Sequence, residues 1–240
     1  MKNLKLYLFL LMAKAGFKYA SYEKIKHFLM PFKNPELVNF LKSNYKKKGI
    51  DSFVLFDVGA NYGQTINIFN SVFGKSLFTY AFEPNIDCND VLCSKRNVSS
   101  FNIALSSESK GFLNIYIPYL NNFAFSGLAS SNKRTIKSWF NNQNIINYSK
   151  IKLKSIKIKT KKLDEFIHIK SNIIKIDVQG MEHLVLQGAK AYIKKYSPDI
   201  IVELEFDNIN KTIAMLYEYG YIYKKKIHNN DYFFSTKKIA

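Results

Sequence analysis

The sequence predicts an α/β fold, a doubly wound and mostly parallel sheet of Rossmann-like type, from three observations. Short apolar runs of strand length alternate with helical patterns and are punctuated by Gly, Pro and Asn, the rhythm of βα units. One such run, Phe53 to Phe56, leads into Asp57 and a turn carrying Gly59 and Gly63, then into a helical pattern through Ile66, Ile68 and Phe69. A second run, Leu77 to Phe82, ends in Glu83-Pro84, twenty positions beyond Gly63. Strand, glycine turn and helix N-terminus let backbone N–H groups approach a ligand closely. An acidic residue ending the second strand is where Rossmann-like folds hold ribose hydroxyls. The pair predicts a nucleoside cofactor.

The turn narrows the choice of nucleoside. It reads G-A-N-Y-G followed by Gln64, so it lacks the glycine spacing of the dinucleotide fingerprint G-x-G-x-x-G. Asn61 stands at the middle of the turn, and Asn tolerates positive φ. A ligand without a pyrophosphate fits such a turn better, and S-adenosylmethionine is one. The plain alternative is a tight strand–helix turn with no ligand.

Residues 1–48 read as an N-terminal helical extension and residues 49–240 as the main domain. The apolar run Leu6 to Ala13 is shorter than the roughly 20 residues that a spanning helix needs. A lysine inside Ala13-Lys14-Ala15 argues against a secretory leader. The segment reads as an amphipathic helix that packs on the domain or against a second copy in a homodimer. With Lys14, Lys18, Lys24 and Lys26 it also suits a peripheral contact with the cytoplasmic face of a membrane. Pro35 to Tyr45 resumes as a helix and feeds Gly49 and the first strand.

After Glu83-Pro84 the pattern gives a helix over Ile86 to Lys95 and a third strand over Val98 to Ala104, whose end (Asn102, Ile103, Ala104) would lie beside the adenine. Phe112 to Ile117 reads as a strand closed by Pro118. From Pro118 to Lys150 the pattern loosens, which predicts an insertion at about 118–150 that covers the substrate, with Trp139 and Phe140 anchoring a short helix. Ile151 to Thr160 alternates apolar residues with lysines, a strand with one wet face and a solvated edge. Ile173 to Val178 is the fourth buried strand, followed by one amphipathic helix from Glu182 to Lys195 that Ser197-Pro198 stops. Asp199 to Leu204 is a fifth strand with Glu203 and Glu205 at its end. A helix over Thr212 to Tyr219 and a hairpin, Tyr221 to Ile227 and Tyr232 to Ser235 turned at Asn229-Asn230-Asp231, complete the chain.

The formal charge is +18, from 36 basic and 18 acidic residues. Such a balance suits nucleic acid, an anionic membrane face or a phosphorylated substrate, or simply a solvated Lys-rich surface. Short lysine clusters stand at Lys46-Lys47-Lys48 and Lys224-Lys225-Lys226, without a continuous basic tract interleaved with aromatics. Cys88 and Cys93, five apart on one helix, read as reduced thiols of a cytoplasmic protein, and no set of zinc ligands surrounds them. No metal is expected.

Four separated blocks then agree with one family. F-D-V-G-A-N-Y-G-Q, F-E-P, N-I-A-L-S and K-I-D-V-Q-G-M-E-H-L-V-L-Q-G-A, followed by P-D-I-I-V-E-L-E, resemble the FkbM-type S-adenosylmethionine-dependent methyltransferases over about Phe53 to Glu205. The resemblance implies the class I methyltransferase fold, a seven-stranded sheet whose last strand is antiparallel. It implies O-methylation of a sugar or natural product, with Gly59, Asn61 and Gly63 as the methionine-side loop and Glu83 as the ribose clamp. Asp177 would stand at the substrate-facing end of the fourth strand. Some relatives carry Glu where this chain has Gln179.

Methyl transfer to oxygen needs alignment of the hydroxyl and a nearby base for its proton. Asp177, at the carboxyl edge of the sheet, is the first candidate, and with Asp57 it completes the expected cofactor pocket. Glu182 and His183 follow, with an exposed helix position as the bland alternative for His183. Lys175 could pair with Asp177 or with a substrate phosphate, and Glu203 could position substrate or merely end its strand. RNA methylation is a rival suggested by charge. The Asp- or Asn-Pro-Pro-aromatic tetrad of base-amine methylases is absent, since the position holds D-V-Q-G and the chain has no Pro-Pro. Ribose methylation survives that objection, as does a non-catalytic basic protein that binds an anionic glycan or membrane. The acceptor expected from these readings is a sugar, nucleotide-sugar or surface glycan.

Overall fold

Strand β1 (Phe53–Val58) is an interior strand of the sheet, and its residues are buried on both faces, the pattern of a parallel strand with neighbours on each side. The structure is a computed structural model that describes residues 34–46, 51–121, 123–143, 147–204, 208–228 and 230–236. The readings made for residues 1–33, Lys47, Lys48, Gly49, Glu205 and Asn229 lie outside the described residues.

Ahead of β1 runs helix α1 (Pro35–Asn44), with Pro35 at its first turn, where no N–H is missed. Helix α2 (Gln64–Phe73) and strand β2 (Leu77–Phe82) follow β1, then helix α3 (Ile86–Cys93), capped by the Asn85 side chain, and strand β3 (Val98–Phe101). Strand β8 (Ile173–Ile176) lies on the other edge of β1, and β9 (Asp199–Glu203) beside it; all these strands run parallel. Helix α7 (Ile209–Glu218) leads to β10 (Ile222–His228) and β11 (Asp231–Ser235). The sheet order is β10-β11-β9-β8-β1-β2-β3, with β11 antiparallel to both its neighbours. This is the seven-stranded arrangement with an antiparallel last strand expected from the sequence.

Two cores sandwich the sheet. On one face Leu37, Phe40 and Leu41 of α1 join Phe69 of α2 against Leu55, Ile173 and Ile201. Phe40 meets Phe233 edge-on at 4.7 Å, so α1 shares the sheet's own core. Tyr45 clamps it further, donating its hydroxyl proton to Asp199 Oδ2 at 2.5 Å. On the other face helices α5 (Glu182–Gln187) and α6 (Lys190–Tyr196) cover Phe56, Ile174 and Ile200.

The segment between β3 and β8 builds a second sheet of order β4-β7-β5-β6, from β4 (Ala104–Leu105), β5 (Phe112–Leu120), β6 (Phe123–Ala124) and β7 (Lys152–Lys161). Helix α4 (Lys133–Gln143) buries Phe140 completely and packs Trp139 beside it, as the sequence suggested. The lysines at 152, 154, 157 and 159 of β7 are exposed, and β4 covers its outer edge only at Thr160 and Lys161.

Three local readings change. The third strand, read over Val98 to Ala104, ends at Phe101, and Ala104–Leu105 pairs with β7 in the second sheet. Strand β5 runs through Pro118 instead of ending there. Tyr116 exchanges backbone bonds with Ser130, and Pro118 O accepts from Phe125 N, so alternate residues turn their polar groups away from β7. The missing N–H of Pro118 therefore takes no bond from the β5–β7 ladder. The helix read as continuous from Glu182 to Lys195 breaks at Gly188-Ala189 into α5 and α6. Gly188 lies so close to the Ser106 carbonyl that a Cβ would sit 2.0 Å from its oxygen, and its own carbonyl accepts from Asp164 N at 3.0 Å. Gly188→Ala must push these backbones apart and should destabilise by about 1–3 kcal/mol, the usual range for forced overpacking. Urea unfolding checks this as a lower midpoint at unchanged slope.

Candidate active site

Three strand tips meet where the glycine turn begins. Gly59 N and Ala60 N both donate to Phe82 O, at 2.9 and 3.3 Å, and Asp177 N donates to Val58 O at 2.9 Å. These bonds lock the ends of β2, β1 and β8 side by side. Gly59 adopts φ +81°, and a Cβ there would lie 1.9 Å from the Asp177 carbonyl oxygen, so only glycine permits the joint. Asn61 takes φ 49° and Gly63 φ +79°, which turns the chain into α2.

A cleft of about 300 Å³ opens over this joint. Glu83 lines one end together with Pro84, Ile103, Ala104 and Leu105, and the turn Gly59–Asn61 runs along its middle. The Glu83 carboxylate is held rigid: Oε2 accepts from Asn61 N at 2.7 Å and Oε1 from Asn85 N at 2.8 Å. Each oxygen keeps a lone pair for a further donor. Ile115, Ser126, Gly127 and Ala129 of the second sheet and its loops form the opposite wall.

The other end of the cleft is a knot of charge. Lys175 is buried and binds Asp231 Oδ1 at 2.8 Å, with Asp177 Oδ2 at 3.9 Å. The Gln179 amide donates to Asp177 Oδ1 and to Glu203 Oε2, both at 2.8 Å, and so draws the two carboxyls together. Burial and the charge of Asp177 push Glu203 up to about 10, so it holds the proton of the pair. Lys175 keeps Asp177 below the usual carboxylate range despite its burial. The Lys175 ammonium is in turn held above its ordinary value against burial by Asp231, Asp177 and Glu203.

Several sequence-predicted site residues stand elsewhere. Asp57 lies beneath the cleft instead of lining it, fully enclosed on β1, with Oδ2 unpartnered among the described residues. Gly63 also lies outside the lining; it is the N-cap of α2, and a Cβ would press on Leu92 and Lys95 of the α3 segment. Asn102 turns away and donates to Glu83 O at 3.0 Å and Pro84 O at 2.9 Å, so it braces the clamp from behind. Glu182 is buried and accepts from Val178 N at 3.2 Å and Gly180 N at 3.0 Å, holding the loop after β8. His183 is neither exposed nor in the cleft: it is buried on α5 with Nδ1 unpartnered among the described residues. Burial and nearby Lys211 hold it below its ordinary value. Glu182 and His183, the further base candidates, are thus buried on α5 and do not line the cleft. Gly59, Asn61, Glu83, Ala104 and Asp177 do line the cleft.

Sequence reasoning missed Asp231, which a hairpin residue's distance from every motif concealed, and it gave Gln179 no role. The alternation Lys175–Asp177 was the one signal that pointed toward this cluster. Asn34 and Leu37 of the α1 segment also line the cleft and carry no motif.

Burial pushes the carboxyls of Asp57 and Glu83 up to about 7 in the ligand-free protein. A raised acid stabilises the fold fully below its unfolded value and loses that contribution as pH climbs through the folded one. The unfolding temperature of the free protein should therefore fall as pH rises from about 5 to about 8. Asp57→Asn should flatten that fall, as thermal melts across the range would show.

Residues 57–223 match the family described as the methyltransferase FkbM domain. No curated protein sequence matches the chain. Among solved structures, the chain is similar to a methyltransferase FkbM from Methylobacillus flagellatus KT, with 14% identity, a TM-score of 0.50 and coverage of 80% of this chain and 46% of that one. The chain thus spans less than half of that protein. It is also similar to a precorrin-6y C5,15-methyltransferase from Geobacter metallireducens GS-15, with 14% identity, a TM-score of 0.42 and coverage of 83% and 84%. A third is Aeropyrum pernix fibrillarin in complex with natively bound S-adenosyl-L-methionine, with 10% identity, a TM-score of 0.42 and coverage of 77% and 65%. The family match spans more than half of the sequence, and the chain belongs to the FkbM family of S-adenosylmethionine-dependent methyltransferases.

Proposed function

We propose that this protein methylates a hydroxyl of a sugar, within a nucleotide-sugar or a surface glycan, using S-adenosylmethionine. The observation that carries this reading is one cleft with two different carboxylate ends. Glu83, fixed by two backbone N–H groups, faces an apolar shelf, while Asp177 stands at the acid-rich end. The cleft suits the cofactor chemically. Glu83 can accept from ribose hydroxyls, Ile103, Ala104 and Leu105 offer a flat apolar face for adenine, and the carboxylates favour a sulfonium cation. When bound, the cofactor supplies a methyl carbon open to attack by oxygen.

The chain's own residues then do two things. Asp177 Oδ2, free of the Gln179 amide that holds Oδ1, accepts a hydrogen bond from the acceptor hydroxyl and aims its oxygen. Asp177 would take the hydroxyl proton when the bound cofactor gives up its methyl group, and Lys175 keeps the carboxylate ionised and ready to accept it. Gln179 and Glu203 are positioning residues for that carboxylate.

RNA ribose methylation is the second reading, favoured by the net charge of +18. Against it, the acceptor end of the cleft sets Asp177, Glu203 and Asp231 around a single, already paired lysine. A basic protein without catalysis would lack the cofactor, and calorimetry with S-adenosylmethionine separates it from both enzyme readings.

Asp177→Asn should leave the cofactor dissociation constant nearly unchanged and lower kcat by about 10²–10⁴. The assay is transfer of labelled methyl to nucleotide-sugars and glycan extracts. Full activity of the variant on the true acceptor would remove Asp177 from the reaction.

A further inference from the structure

Helix α1 separates the cleft from a second recess. Leu37 lines the cleft, and its neighbour Glu36 lines a groove of about 790 Å³ on the other side, between α1 and β10. Lys224, Lys225 and Lys226 stand there opposite Asn39, Ser43 and Asn44. A shallower depression shares Asn39 and Ser43 and adds Lys42 and Lys46. Among the described residues, five lysines thus border one stretch of surface against a single lining acid, Glu36. The cleft has the opposite balance, with Glu83, Asp177, Glu203 and Asp231 around Lys175.

These opposed charges sort a substrate. A phosphate or carboxylate pushed into the cleft would meet an excess of negative charge, since Lys175 is spent on Asp231 and Asp177. The same anion on the groove would meet lysines that carry no ion pair among the described residues. From Leu37 to Ser43 the helix advances about 9 Å, so a ligand that reaches both must pass over the first turns of α1. A run of linked sugars covers that distance where a lone monosaccharide does not.

We propose that the α1–β10 groove binds the anionic stretch of a glycan chain, so that an uncharged sugar of the same chain reaches the acid-lined cleft. The anions are those the glycan itself carries, uronate carboxylates or backbone phosphates. This rests on the methyl-transfer reading of the cleft and adds to it where the rest of the acceptor lies. Phe40 and Phe233, the aromatic residues of the groove lining, are both buried in the core below it. Among the described residues the groove lining therefore offers no exposed ring on which nucleic-acid bases could stack, which favours a glycan over RNA.

Fluorescence anisotropy with a labelled oligogalacturonate tests the proposal on the full chain. Comparators are a neutral dextran oligomer of equal length, a single-stranded RNA oligonucleotide and phosphatidylglycerol vesicles. The unmodified protein should bind the polyuronate and release it as salt rises. The triple variant K224E/K225E/K226E should bind it about tenfold or more weakly, as expected when attraction becomes repulsion. Lys225 and Lys226 are exposed and Lys224 is half-buried on the edge strand β10, and none of them lines the cleft, so calorimetry with S-adenosylmethionine should read the same for both proteins. Equal binding by the triple variant, no binding by the unmodified protein, or a preference for dextran, RNA or vesicles would each overturn the groove assignment. Absence of cofactor binding by the unmodified protein would instead remove the methyl-transfer reading, whatever the anisotropy shows.

Discussion

The contact on which the site depends is the close approach of Gly59 to the backbone of Asp177. A side chain at Gly59 would collide with the Asp177 carbonyl, and the Asp177 amide bonds Val58 in the same joint. This one juncture sets the glycine turn, the tip of β2 with Glu83 and the tip of β8 with Asp177 at fixed spacing. Glycine is needed there twice over, for its positive φ and for the room left by its missing Cβ. The rest of the cleft is built outward from that point.

Charge is distributed against the grain of the whole molecule. The chain is strongly basic, yet the ionisable residues that line the cleft are acidic except for Lys175. Burying them is tolerated because each is tied down: Glu83 by two backbone N–H groups, Asp177 and Glu203 by one amide, Asp231 by Lys175. Asp57, below the cleft, differs, since its Oδ2 has no partner among the described residues. A negative cleft in a positive protein suits a cationic cofactor inside and anions outside.

The Asp177 cluster is assembled from distant parts of the chain. Its members come from β8, the loop after it, β9 and the terminal hairpin. Glu182 and Asn102, two of the residues that looked chemical in the sequence, prove to be braces one layer behind: Glu182 under the β8 loop and Asn102 behind Glu83. Such braces share the motifs of the site because holding the cleft carboxylates rigid requires them.

The sequence by itself determined the sheet, its central strands and the two acidic tips. Buried parallel strands leave continuous apolar runs, and the residues ending them must face the open edge where ligands bind. Local rules likewise marked the turn at Asn61 and the helix anchored by Phe140. Tertiary structure alone decided which polar residues face the cleft. Glu182 and His183 rotate inward with a short helix that Gly188 breaks, and that break follows from contact with Ser106, far away in the chain. Asp231 joins Lys175 because β11 inserts antiparallel between β10 and β9, a pairing that no local pattern encodes. Periodicity reports which face of an element is buried, whereas the partner that a buried charge finds depends on how strands are ordered across the sheet.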